Sequence, residues 1–162
     1  MICFATSKDA GVLAALAMQV WLETYAKNGV TEEHAKYVFS SFTAQSFEKL
    51  INSSSHEVIA VFSDDVLAGL AVINLESHYQ TAEHGFEIER LYIHPGFRKA
   101  GYGRAMLSFI SAQIGTRFWL YTWIENDSNT FYERLGFNKI GEHRFYFGAQ
   151  EVENNIYACV GS

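Results

Sequence analysis

The chain is poor in proline and cysteine, and each shortage excludes a class of protein. A single proline, Pro95, in 162 residues excludes a collagen-like chain and a proline-rich disordered one. The two cysteines, Cys3 and Cys159, lie at opposite ends of the chain in apolar, strand-like runs. Such surroundings favour buried free thiols, and a disulfide between them would need an oxidising compartment.

Basic residues are also scarce, because 12 lysines and arginines face 18 aspartates and glutamates for a net charge of −6. Nucleic-acid-binding proteins usually carry a clustered basic stripe, and the sequence has none, so we expect no nucleic-acid partner. An acidic balance suits a cationic acceptor such as an amine, and it equally suits plain solubility.

Long apolar runs are missing as well, and none approaches the roughly 18 residues that a membrane span needs. The apolar start, Met1 to Phe4, is too short for a signal peptide. We therefore expect a soluble, cytoplasmic protein without a membrane partner. The six histidines show no paired metal-ligand spacing, so we expect no metal.

Hydrophobic periodicity predicts one domain over residues 1–162, of the α/β class, with a mixed sheet flanked by helices. Helical spacing predicts helices over 7–28, 31–42, 44–51, 104–114 and 128–135. Period-two runs predict strands over 2–6, 58–62, 66–75, 86–93, 118–123, 137–140, 144–147 and 155–160.

A glycine-rich turn, Arg98 to Gly103, lies between a predicted strand and a predicted helix. The first N–H groups of a helix lack internal partners, and its dipole favours an anion. Gly101 and Gly103 let the backbone approach an oxyanion closely. Positive charge comes from Arg98, Lys99 and Arg104. These features predict a diphosphate cradle, and the alternative is a turn that only connects two elements.

Two motifs in this order resemble the GNAT superfamily of acetyl-CoA-dependent N-acetyltransferases. Arg98 to Gly103 matches [RQ]-x-x-G-x-[GA], and Phe131 to Phe137 matches a helix ending in F-Y-x-x-x-G-F. The resemblance implies a GNAT-like acyl-CoA N-acyltransferase fold, with a mostly antiparallel central sheet of about six to seven strands flanked by helices. It also implies acetyl-CoA as co-substrate.

The resemblance further implies which residues meet the cofactor. Backbone groups of Leu91 and Ile93 face the acetyl carbonyl and the pantetheine arm, and Tyr132 lies near the CoA sulfur. Seven residues before this tyrosine, the family often has an asparagine that contacts the cofactor. This chain has Glu125 there, so the nearby asparagines are the candidates for that contact. The implied cofactor contacts are Leu91, Tyr92, Ile93, Arg98, Lys99, Ala100, Gly101, Tyr102, Gly103, Arg104, Asn126 and Asn129.

Acyl transfer to an amine needs a base that removes a proton from the amine, and the alternation of residues along a strand indicates candidates for it. Residues two apart share a face, so Glu87, Glu89, Leu91 and Ile93 are predicted to point the same way. Glu89 is the first candidate base and Glu87 the second, the alternative being ordinary surface charges. Tyr132 is the candidate acid for the thiolate, and its alternative role is core packing.

The acceptor is predicted to be the amine of a small molecule or a protein amino group. Trp21, Tyr25 and Tyr146, with Phe145, are candidates to line its pocket, although aromatic residues mostly pack in cores. A non-enzymatic acyl-CoA sensor and an interaction protein on the same fold are the alternatives. The sequence leaves open a homodimer formed through strands near the C-terminus.

Overall fold

The computed structural model describes residues 1–159 of the chain. These residues contain five α-helices and seven β-strands, joined by turns and loops. The helices are α1 Ala10–Tyr25, α2 Glu32–Ser41, α3 Ala44–Ile51, α4 Tyr102–Gln113 and α5 Ser128–Arg134. The strands are β1 Ile2–Phe4, β2 His56–Ser63, β3 Val66–Asn74, β4 Phe86–Ile93, β5 Phe118–Trp123, β6 Asn138–Phe147 and β7 Gln150–Cys159.

The strands form one sheet in the order β1-β2-β3-β4-β5-β7-β6. Strands β4 and β5 are parallel, and every other neighbouring pair is antiparallel. Short turns join β2 to β3 and β6 to β7 as antiparallel hairpins, whereas the parallel pair needs the crossover that α4 supplies. The predicted α/β class and the mostly antiparallel mixed sheet are confirmed.

Several predicted boundaries are corrected at the two ends of the chain. The first strand ends at Phe4, and a short 3-10 turn over Ser7–Asp9 precedes α1, which ends at Tyr25. The two strands predicted over 137–147 are one strand, because a register shift between Lys139 and Gly141 absorbs the interruption. Strand β7 starts at 150 rather than 155, and the predicted strand residue Val160 lies outside the described residues.

Apolar side chains cover both faces of the central strands, so the sheet has two cores. One core joins α1, α2 and α3 to the sheet and includes Leu70 and Val72, and we name this side the α1 face. The other joins α4 and α5 to the sheet and includes Ala71 and Ile73, and we name it the α4 face. A strand covered on both faces is apolar along its whole length, as β3 is.

Strands β4 and β5 separate almost as soon as they meet. Phe86 pairs with Phe118 and Glu87 pairs with Trp119, and no further pair joins the two strands within residues 1–159. Strand β5 instead stays paired with β7 along its full length. The edge of β4 beyond Glu87 therefore borders a gap, which we name the β4–β5 gap.

The closed end of this gap depends on Gly85, which precedes β4 and has φ +78°. A Cβ on this residue would collide with the backbone carbonyl of Arg117, which precedes β5. Only glycine allows the two chain segments to approach so closely. Gly85 thus brings the strands together just below the point where they part.

Gly85→Ala should destabilise the fold by at least about 1–3 kcal/mol, because a strained φ adds to a backbone collision. Chemical denaturation checks this free energy of unfolding. Gly136→Ala is the matched control, since Gly136 has a similar φ of +83° with open space around its Cβ position. Equal losses in the two variants would show that the contact with Arg117 does not matter.

Candidate active site

The backbone of β4 offers polar groups to the β4–β5 gap. The N–H of His94 donates to the carbonyl of Ala68 on β3, at 2.8 Å. Because such bonds alternate along an antiparallel pair, the backbone groups of Tyr92 also face β3, and those of Leu91 and Ile93 face the gap. The backbone groups of Leu91 and Ile93 are therefore directed into the gap, whereas those of Tyr92 are turned away from it.

A β-bulge changes the facing of side chains in β4. Val72 pairs with Arg90 and Ile73 pairs with Ile88, so Glu89 is an extra residue in the strand. Ile88 and Leu91 consequently both pack on the α4 face, although they are three residues apart. The prediction that Glu87, Glu89, Leu91 and Ile93 share one face is wrong, because the bulge breaks the period of two.

Tyr92 points its side chain to the α1 face, opposite to Leu91. Burial, the main cause, raises the pKa of Tyr92 to about 12, and the nearby Arg90 partly opposes this shift. Arg90 packs its guanidinium over the ring of Phe42, at 5.0 Å from the centroid. Arg90 thus packs in the α1 face, and the Tyr92 side chain lies away from Leu91 and Ile93.

The turn after β4 has the backbone of an anion site. The N–H groups from Lys99 through Arg104 donate to no acceptor within residues 1–159, and the first bond of α4 runs from Ala105 to the carbonyl of Gly101. Gly101 has φ +88°, and a Cβ there would meet nothing within 4 Å. The space above Gly101 is open, so a ligand can reach these N–H groups directly.

The charges around this turn are divided between two roles. Arg98 forms a bidentate pair with Glu23 of α1, with distances of 2.7 and 3.0 Å. Lys99 and Arg104 are exposed and form no ion pair with any residue from 1 to 159. Lys99 and Arg104 are therefore the basic side chains available to a diphosphate, while the charge of Arg98 is already paired.

Tyr132 lies in α5 and is buried on the α4 face. Its ring stacks on Phe137 and contacts Phe131 and Tyr157, with centroids 5.2 to 5.8 Å apart. Burial raises the pKa of the Tyr132 phenol above its ordinary value. The phenol is therefore protonated at neutral pH, which a proton donor requires.

The two candidate asparagines differ in which of their side-chain hydrogen-bonding groups are free. The Asn129 amide nitrogen donates to the carbonyls of Trp123 and Asn126, and its oxygen accepts from Asn155 at 2.9 Å. The Asn126 side-chain oxygen accepts from the Ser128 N–H, and its amide nitrogen has no partner within residues 1–159. Hydrogen bonds of the Asn129 side chain thus connect β5, α5 and β7, whereas the side-chain NH₂ group of Asn126 is a free donor.

The two candidate bases have different surroundings. Glu89 accepts a hydrogen bond from Asn74 at 2.9 Å and lies 3.7 Å from the ring of His56. Glu87 is buried, and this desolvation raises the pKa of its carboxyl group, while Ser77 opposes the shift and Glu89 adds to it. A raised pKa brings the carboxylate closer to the range of a useful general base.

Aromatic side chains cover the α1 face beside the gap. The Trp21 ring stacks on that of Tyr37, with centroids 4.6 Å apart, and contacts the Tyr25 ring at a centroid distance of 4.9 Å. The Tyr25 ring in turn contacts that of Trp123 in β5, with centroids 5.6 Å apart. Phe145 lies instead beside Tyr121 of β5, with ring centroids 6.5 Å apart.

The predicted acceptor residues are therefore only partly brought together. Trp21 is buried in the core, whereas Tyr25 is half-buried at the edge of the aromatic group. Tyr146 is 70% exposed and contacts none of these rings.

Sequence reasoning missed Tyr37, Tyr121 and Glu23. Trp119, Tyr121 and Trp123 alternate along β5, and this spacing was a signal for an aromatic row on one face. Glu23 is a charged residue in a helix that is otherwise mostly apolar, which was a signal for a specific partner. No local pattern pointed to Tyr37.

Comparison with known protein families assigns the chain to one of them. The acetyltransferase (GNAT) domain family matches residues 54–139, which is more than half of the chain. The chain belongs to this family. Membership supports acyl transfer as its general chemistry.

Similar proteins cover nearly the whole chain at low identity. An uncharacterized N-acetyltransferase in the pepI 3' region of Lactobacillus delbrueckii subsp. lactis is 22% identical over 150 residues, covering 88% of this chain and 87% of the relative. The PaiA N-acetyltransferase of Thermoplasma acidophilum, solved in complex with coenzyme A, has a TM-score of 0.73 at 18% identity, over 95% of this chain and 96% of that one. A GNAT-family acetyltransferase of Streptococcus pneumoniae has a TM-score of 0.67 at 18% identity, over 98% and 97% of the two chains. The two solved structures share the fold with this chain.

Two features are absent from residues 1–159. No helix in that range is both long and apolar enough to cross a membrane. The same range contains no group of three or more histidine, cysteine, aspartate or glutamate side chains arranged to hold a metal ion.

Glu87→Gln should raise thermal stability at neutral pH. Because burial raises the folded-state pKa of Glu87, the folded protein binds this proton more tightly than the unfolded chain does. The free energy of unfolding of the wild type therefore falls as the pH rises from the ordinary glutamate pKa of about 4.3 through the folded-state pKa. At pH values above the folded-state pKa it remains lower. Melting temperatures of both proteins across this range test the effect.

The gain from Glu87→Gln should disappear below the ordinary glutamate pKa. Glu142→Gln is the control with the opposite sign, because the hydrogen bond from Lys139 lowers the pKa of Glu142. A Glu87→Gln protein that melts lower than the wild type at neutral pH would contradict a desolvated Glu87 carboxylate.

Proposed function

We propose that this chain is an N-acetyltransferase that moves an acetyl group from acetyl-CoA to a primary amine of a small molecule or protein. The amine attacks directly in a ternary complex. One observation carries the proposal: the β4–β5 gap leads to the free N–H groups of Lys99 to Arg104. The unpaired edge of β4 suits the amide groups of a thioester arm, and the free N–H groups suit a diphosphate.

The residues present fit acyl-CoA in two ways. The backbone edge at Leu91 and Ile93 suits an amide-containing arm, because that edge has no strand partner. The open space above Gly101 and the exposed Lys99 and Arg104 suit a diphosphate. When bound, acyl-CoA supplies the acyl group and a thiol leaving group.

Three residues would then assist the transfer. The N–H of Leu91 donates to the carbonyl oxygen that gains negative charge during attack. Tyr132, protonated at neutral pH, gives a proton to the departing thiolate. Glu87 accepts the proton that the amine must lose.

Between the two carboxylates, the surroundings favour Glu87 over the earlier first candidate, Glu89. Glu89 is held by Asn74 and His56, whereas Glu87 is buried with a raised pKa. The aromatic group at Tyr25 lies on the α1 face and suits the apolar part of an acceptor. An acyl-CoA sensor on the same fold would bind the cofactor without turnover.

Calorimetric titration with acetyl-CoA and with free CoA, followed by thiol release in the presence of an amine panel, tests the proposal. Micromolar binding together with amine-dependent thiol release is the expected result. Binding without release for any amine would favour the sensor. No binding at millimolar ligand would overturn the cofactor assignment.

Gly101→Val should weaken CoA binding about tenfold or more, because a β-branched residue is strained at φ +88° and its side chain fills the open space. Calorimetry with CoA measures the change. Gly29→Val is the control, since Gly29 also has a positive φ, with no neighbour at its Cβ position, and lies far along the chain from the turn. Unchanged CoA affinity in Gly101→Val would contradict the cradle.

Tyr132→Phe should lower kcat about a hundredfold while changing CoA affinity much less. The substitution removes the hydroxyl group that donates the proton to the thiolate, and it keeps the aromatic ring. Tyr157→Phe is the matched control from the same aromatic cluster, and its hydroxyl bonds Asn129 and Glu133 instead. That variant should lose stability and keep kcat. If both variants lose kcat equally, Tyr132 has only a packing role.

A further inference from the structure

The Glu23–Arg98 pair joins α1 to the start of the turn that carries the free N–H groups. The two guanidinium nitrogens bind the two carboxylate oxygens at 2.7 and 3.0 Å, across 75 residues of sequence. Arg98 also donates from Nε to the carbonyl of Ile93, at 3.3 Å. The planar fork of one arginine therefore connects a helix, the end of β4 and the turn.

A second contact reaches the same segment from α1. Gln19 and His94 side chains lie 3.5 Å apart, and the His94 ring accepts the N–H of Gly96 at 3.0 Å. Gln19 and Glu23 are one helical turn apart and so lie on the same side of α1. This helix thus contacts the segment at both ends of the short 3-10 turn over Pro95–Phe97.

The backbone just after Arg98 is strained. Lys99 has φ +64°, a left-handed conformation that non-glycine residues rarely adopt. Such a conformation persists only where the surroundings fix it. The Glu23–Arg98 pair is the contact adjacent to this residue, and it is exposed enough to form without a large desolvation cost.

We propose that Glu23 is a positioning residue for the cofactor. By pairing with Arg98, it holds the turn in the conformation that directs the N–H groups of Lys99 to Arg104 toward the diphosphate. This role rests on the proposed acetyl-CoA binding at the turn. The rival role makes Arg98 a direct ligand of the diphosphate, with Glu23 as a competitor for its charge.

The two roles predict opposite signs for Glu23→Gln. If Arg98 positions the turn, losing the ion pair loosens the turn and weakens CoA binding. If Arg98 is a direct ligand, removing the competing carboxylate frees the guanidinium and strengthens CoA binding. Arg98→Gln weakens binding under both roles, so the sign for Glu23 discriminates.

The test measures CoA affinity by calorimetry, with KM for acetyl-CoA and kcat, for the wild type, Glu23→Gln, Arg98→Gln and the double variant. We expect Glu23→Gln to weaken CoA binding about threefold to tenfold and to raise KM, with kcat and melting temperature nearly unchanged. The double variant should be no weaker than Arg98→Gln alone, because both changes break one pair. Glu142→Gln, which breaks the exposed pair with Lys139, is the matched control and should leave CoA affinity unchanged.

Tighter or unchanged CoA binding by Glu23→Gln would overturn the positioning role, as would additive losses in the double variant. Failure of the wild-type protein to bind CoA at all would instead overturn the proposed function, and the role of Glu23 with it. The wild-type titration therefore separates the two failures.

Discussion

The parting of β4 from β5 after Glu87 and Trp119 is the constraint on which the site depends. A parallel strand next to β4 would satisfy the backbone groups of Leu91 and Ile93, and the gap leaves them without a strand partner. The bulge at Glu89 bends and twists β4 where the two strands diverge. Gly85 keeps the other end closed, so the opening lies above one fixed point.

The gap also separates two chemical environments. On the α4 face lie Tyr132 and the apolar cluster beneath α5, which keep the phenol neutral. On the α1 face lie the Tyr25 aromatic group and the strand β4 side chains directed away from Leu91. In the proposed reaction, a proton donor and an acceptor pocket on opposite faces would meet at the reacting carbonyl in the gap.

Local patterns predicted the central elements well and the side-chain contacts poorly. The limits of α3, β4 and β5 were predicted correctly, because polar or glycine-rich residues flank each of them. The bulge at Glu89 has no local signature, since it arises from pairing with β3, and it overturned the predicted shared face. The pairing of Arg98 with Glu23 and the hydrogen bond between Asn129 and Asn155 could not be predicted either, because the partners lie 75 and 26 residues apart along the chain.

Backbone amide NMR during an acetyl-CoA titration tests the central claim most directly, because it observes the N–H groups themselves. The account predicts that the amides of Leu91, Ile93 and Lys99 to Arg104 shift and gain protection from hydrogen exchange, while those facing β3, such as Tyr92, change little. Saturable binding that leaves these amides unchanged and shifts another surface would contradict it.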